Sequence, residues 1–74
     1  MTIIEIRPSQ KFRGAWRAKE APGVEPAFAG PTAKQDALEY ARHRFGGRAG
    51  EIHVYDDAES AIEQTIPIDG RERR

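Results

Sequence analysis

Two histidines, two serines and no cysteine limit the chemistry open to this 74-residue chain. Neither Ser9 nor Ser60 stands in the glycine-flanked setting of a nucleophile elbow. His53 with Asp56 or Asp57 is the one grouping with metal-ligand character, since imidazole and carboxylate both bind divalent ions. Strand alternation works against Asp56, which lies three residues on and so on the opposite face of an extended segment, and two histidines with no cysteine make a tight transition-metal site a poor fit. The sequence therefore assigns no metal and no cofactor. Glu5 and Glu63 would serve as paired carboxylates, but both fall at outward, solvated positions that give no cause for a raised pKa. Phosphate cradling needs a glycine-rich stretch that follows a strand and opens a helix. Here Gly46, Gly47 and Gly50 read as a helix stop instead. The expectation is a chain that is not an enzyme.

Charge is the stronger signal. Charged residues make up 32% of the chain, yet 12 Lys and Arg balance 12 Asp and Glu, so any partner must be sought in local patches. Residues 1–19 carry Arg7, Lys11, Arg13, Arg17 and Lys19 against Glu5 alone. Residues 51–69 carry Glu51, Asp56, Asp57, Glu59, Glu63 and Asp69 with no Lys or Arg. A basic strand surface can hold phosphates and so position a nucleic acid. Four such contacts imply a salt slope of about −3.6. The acidic segment opposes that use by repelling phosphate, and Tyr55 is the only aromatic residue available there for base stacking. The blander reading is a charged face that deters edge pairing. A third use pairs the acidic segment with the basic one, within one sheet or between two copies. Each cross-strand pair then contributes about 0.2–1 kcal/mol, and a twofold dimer makes each contact twice. Net neutrality favours this third use over nucleic acid.

The elements that carry these residues can be read from periodicity. TIIEIR alternates Ile4 and Ile6 with Glu5 and Arg7, a half-buried strand that Pro8 should end. AWRAKE follows a turn at Gly14, with Trp16 and Ala18 inward and Arg17 and Lys19 outward. Pro22-Gly23 suits the centre of a type II turn. A short strand around EPAFA points Phe28 inward. Thr32 is placed as the N-cap of a helix, with Gln35 completing a capping box. Ala37, Leu38, Ala41 and Phe45 form its apolar stripe, and Gly46 and Gly47 stop it. In EIHVYD, Ile52 and Val54 face inward while His53 and Tyr55 face outward. AIEQTIPID puts Ile62, Ile66 and Ile68 in phase, and Pro67 marks it as an edge.

The element order is thus β-β-β-α-β-β. One helix with one apolar stripe covers one sheet face, giving a two-layer α+β fold with the helix on one side of a mostly antiparallel sheet. A strand order of 3-2-1-4-5 would lay the basic and acidic hairpins side by side. The expected core is Ile4, Ile6, Trp16, Ala18, Phe28, Leu38, Ala41, Phe45, Ile52, Val54, Ile66 and Ile68. Residues 3–69 are read as one small α+β domain and 70–74 as a flexible basic tail. No apolar run approaches the ~20 residues of a membrane span, and MTIIEIRPSQ lacks the layout of a secretory signal. With no cysteine, the expected location is the cytoplasm.

Three segments carry a resemblance: Gly14-Ala15-Trp16, Thr32-Ala33-Lys34-Gln35-Asp36-Ala37, and Ile52-His53-Val54-Tyr55-Asp56. Together they resemble a family of short bacterial proteins catalogued as domain of unknown function 2188. The resemblance spans most of residues 3–68 and implies a tryptophan-bearing strand pair, a helix and a final hairpin. The chain departs from that pattern at Asp57-Ala58-Glu59-Ser60, where the family has an Asp-Gly pair. The family has no established activity, so the resemblance implies a fold and no chemistry. The Trp-Arg-x-Lys strand before the helix also resembles the small DNA-binding domains of phage integrases, without their density of positive charge. The expected function is a non-catalytic module acting by self-association, as a homodimer, or by protein interaction through its open sheet face. The alternative is a weak nucleic-acid-binding module using the basic first hairpin. Either partner would meet Arg7, Arg17, Lys19, His53 and Tyr55.

Overall fold

The computed structural model describes residues 2–69, so the tail expected at 70–74 lies outside the described residues. The elements run β1 (Thr2–Pro8), β2 (Trp16–Lys19), β3 (Ala27–Phe28), α1 (Ala33–Phe45), β4 (Ala49–Tyr55) and β5 (Ile62–Asp69). The strands form one five-stranded sheet in the order β3-β2-β1-β4-β5, the order that sets the two charged hairpins next to each other. Only β1 and β4 run parallel. The helix supplies the crossover that such a pair requires, leaving β3 and returning at β4.

Two turns follow directly from residue type. Gly14 takes φ 83° in the loop between β1 and β2, where Ser9 N–H donates to the Ala15 carbonyl at 2.8 Å. Pro22 and Gly23 occupy the turn closed by Val24 N–H on the Ala21 carbonyl, 2.8 Å. Gly23 there has φ 84°, as a type II turn demands.

The core lies between α1 and one face of the sheet. Ile4, Ile6, Ala18, Ile52, Val54 and Trp16 rise from the strands, and Ala33, Ala37, Ala41 and Phe45 descend from the helix. The spacing of four keeps those helical residues on one line. Three alanines let the backbone approach the sheet, and Phe45 fills the wider gap at the far end. Fully burying each large apolar side chain contributes about 1.5–3 kcal/mol. Gly50 makes the Phe45 contact possible. A Cβ there would collide with the Phe45 ring and with the Thr2 carbonyl oxygen.

The structure corrects several expectations. Thr32 makes no side-chain cap hydrogen bond; its hydroxyl lies 3.2 Å from Asp36 Oδ2 instead, so the capping box with Gln35 is not formed. At the other end Gly46 adopts the left-handed cap. Arg48 adds hydrogen bonds from Nε to the Phe45 carbonyl and from Nη2 to the Arg44 carbonyl, 3.1 and 2.8 Å. Gly50 belongs to β4 and not to the helix stop. Leu38, Phe28 and Ile66 are only partly buried at the margin of the core, because the helix line runs through Ala33, Ala37 and Ala41. Ile62 is 45% exposed and lies outside the core. The β4–β5 register shifts from Val54↔Gln64 to Tyr55↔Ile62. The skipped residue, Glu63, turns Ile62 to the opposite face from Ile66, since one extra residue inverts the alternation.

Candidate functional site

The face of the sheet away from α1 gathers every residue assigned to a partner surface. Register places Ala27, Arg17 and Arg7 in one row across β3, β2 and β1, and Tyr55 and Ile62 continue it on β4 and β5. The Arg7 guanidinium stacks on the Tyr55 ring, 3.9 Å from its centre. The next row holds Lys19, Glu5, His53 and Thr65. A third holds Ile3, Glu51 and Pro67. Arg7, Arg17, Lys19, His53 and Tyr55 are all half-buried here, because each lies among neighbours on its own face.

Glu59, from the loop between β4 and β5, closes over the first row. Its Oε2 accepts from Arg7 Nη1 and from Arg17 Nη2, each at 2.8 Å, and its Oε1 accepts from Gln10 Nε2. The Glu59 side chain is only 12% exposed. Two further carboxylates complete the network: Glu5 accepts from Arg7 Nε at 2.9 Å, and Glu25 accepts from Arg17 Nη1 at 2.8 Å. Among the ion pairs of the described residues, Glu59 alone links the acidic hairpin to the arginines of the basic one.

Asp56 shapes the loop that delivers Glu59. Its carboxylate accepts from the Ser60 N–H at 2.9 Å and from the Ser60 hydroxyl at 3.0 Å. The Glu59 N–H donates to the Asp56 carbonyl at 2.9 Å. Glu59 itself sits at φ 57°, the left-handed region that side-chain-bearing residues seldom occupy. Hydrogen bonding from Arg7, and then from Gln10, holds the Glu59 carboxyl below its usual range, against the opposing effect of burial. The Ser60 backbone N–H does the same for Asp56. Arg7 is pushed upward, first by its hydrogen bond to Glu5.

One atom in this network is left over. Arg17 Nε is buried and has no hydrogen-bond partner. Beside it runs a shallow groove of about 470 Å³ lined by Gln10, Phe12, Arg17, Glu25 and Ala27, with Phe12 66% exposed.

His53 does not meet Asp56. Its Nε2 lies 2.8 Å from Glu51 Oε1 on the same face, while Asp56 is turned into its own loop. Among the described residues no three His, Asp or Glu side chains gather as a metal site would require. No described helix is long and apolar enough to cross a membrane. Sequence reasoning missed Glu59, Gln10 and Glu25 as parts of the site. The only local signal for Glu59 was the Asp56–Ser60 pair, whose spacing suits side-chain-to-backbone bonding. Compared with known proteins, the chain matches no family model, no curated protein and no solved structure.

Proposed function

We propose that this chain is a non-catalytic interaction module working through the open face of its sheet, by self-association or by docking a protein partner. One observation carries the reading. The single described helix lies on the other face, and Ile3 and Ile62 remain 38% and 45% exposed on this one, around an internally neutralised arginine–tyrosine row. Arg and Tyr with exposed aliphatics, and few unpaired charges, suit a protein interface. The alternative, weak nucleic-acid binding by Arg7, Arg17 and Lys19, meets an obstacle. Phosphate would have to displace Glu5, Glu25 and Glu59 from the arginines. The resemblance to domain of unknown function 2188, and with it a bacterial cytoplasmic setting, agrees with a module lacking catalytic machinery.

Sedimentation across a concentration series tests the first arm. The native chain should form a dimer that Ile62→Lys or Ile3→Lys weakens; a strict monomer at high concentration removes self-association. Titration with mixed DNA and RNA at two salt concentrations tests the alternative. Tight low-salt binding that fades steeply with salt would move the assignment to nucleic acid.

A further inference from the structure

We propose that Arg7, Arg17 and Gln10 form a recognition site for a carboxylate on an acidic protein segment, and that Glu59 occupies this site in cis until such a segment displaces it. The proposal rests on the reading of the open face as a protein-interaction surface and names the chemistry of the partner.

The geometry of two arginines carries it. Arg44 grips Glu20 with the side-on edge of its guanidinium: Nε reaches Oε1 and Nη2 reaches Oε2, each at 2.9 Å. That is the paired arrangement a planar fork prefers with a carboxylate. Arg17 offers the same edge, but Glu59 uses half of it. Its Oε2 takes Arg17 Nη2, while Arg17 Nε stays buried without a partner. The same Oε2 is shared with Arg7, so Glu59 cannot turn to satisfy both. Glu59 is therefore an incomplete occupant. A carboxylate arriving from outside can lie along the Arg17 edge and take both nitrogens.

Two further features agree. The Glu59 backbone is held at φ 57°, a conformation that release of the loop would relax. The groove beside Arg17, walled by Phe12 and Ala27, gives an apolar neighbour of the incoming acid a place to lie. Glu5 and Glu25 stay on Arg7 Nε and Arg17 Nη1 throughout, so exchange of one carboxylate for another concerns only the nitrogens that face Glu59. A carboxylate is chosen over a phosphate because a carboxylate is what these three side chains already hold.

A tethered occupant competes at an effective concentration on the order of millimolar, so the native chain should bind an external acid weakly. Glu59→Gly removes the competitor and suits the left-handed backbone. The probe is a capped hexapeptide alternating leucine and glutamate, followed by amide shifts and calorimetry. Glu59→Gly should bind it at least about tenfold more tightly than the native chain does, and adding Arg17→Ala should abolish the gain. Glu59→Gln serves as a second unmasked variant, and Trp16 fluorescence reports that each variant is folded. Two folded unmasked variants that bind no better than native overturn the site. So does a preference for inorganic phosphate or a short oligonucleotide over the peptide. A native chain that stays monomeric would sink self-association without touching this titration; a Glu59→Gly chain that ignores the peptide sinks the carboxylate site alone.

Discussion

The two faces of this sheet are built from the same strands and differ in how their side chains are satisfied. Toward the helix, Ile4, Ile6, Ile52 and Val54 are almost wholly excluded from water and need no particular partner, only close packing. Toward the open side, Glu5, Arg7, Arg17, His53 and Tyr55 alternate with them along β1, β2 and β4, and each depends on a neighbour of defined charge or shape. The helix face resists change because voids are costly everywhere. The open face concentrates its demands on a few directional contacts, so its arrangement can be altered while the fold stands.

That contrast can be broken most forcefully at Phe45. Phe45→Ala should cost about 3–5 kcal/mol, comparable with the ~3–5 kcal/mol a core of this size supplies. Urea titration followed by circular dichroism should find the variant largely unfolded; a cooperative native-like transition would mean the helix face is not the main source of stability. Gly50→Ala forces a methyl group against the Phe45 ring and the Thr2 carbonyl. It should cost about 1–3 kcal/mol, partly recovered by trimming Phe45 to Leu. Arg17→Ala, on the open side, removes a half-buried hub between Glu25 and Glu59 and should cost about 1 kcal/mol or less.

Acid sharpens the comparison, because it acts on carboxylates and leaves the apolar face alone. The folded-state pKa of Glu59 lies below its ordinary value of 4.5, and that of Asp56 lies below 3.8. A depressed carboxyl pKa contributes stability that is fully present above the unfolded value and is lost as pH falls through the folded one. Melting temperature should therefore fall as pH drops from near 5 downward, and Glu59→Gly should flatten that fall. A native profile level down to strong acid would show that the clamp contributes nothing. The smallest effect is expected at Arg44→Ala. Its pair with Glu20 is geometrically better than the Glu59 clamp but more exposed on the arginine side, at 48%, and solvent screens it. Thermal melting should barely register the change.

Much of the helix face was legible because burial follows period and residue type. Ile4 with Ile6, Trp16 with Ala18 and Ile52 with Val54 announce inward positions by alternation alone. Gly14, Gly23 and Gly46 mark three turns that take a positive φ, whereas nothing in residue type marks the positive φ of Glu59. The charged residues of the open face were legible as a set but not as a network. Glu59 stands 52 residues from Arg7 and 42 from Arg17, and no local pattern states that they meet. Ile62 was misplaced because a single skipped residue at Glu63 inverts a strand's facing, and nothing in a period-2 pattern marks where the skip falls. Thr32 looked like a cap by type, but its backbone, at φ −113° and ψ 25°, is not the extended shape a capping residue takes, and its hydroxyl lies on Asp36 instead.

What the amino-acid order decided by itself was which atoms avoid water: the strands, the helix line and the turns follow from apolar spacing and from backbone preferences acting over a few residues, while the order of strands across the sheet does not. What the tertiary structure alone decided was the pairing of charges. A guanidinium is satisfied by any carboxylate within reach, and reach is set by the folded chain rather than by distance along it. Only once the β4–β5 loop lay over the first hairpin could Glu59 close on Arg7 and Arg17, leaving one nitrogen of Arg17 without a partner.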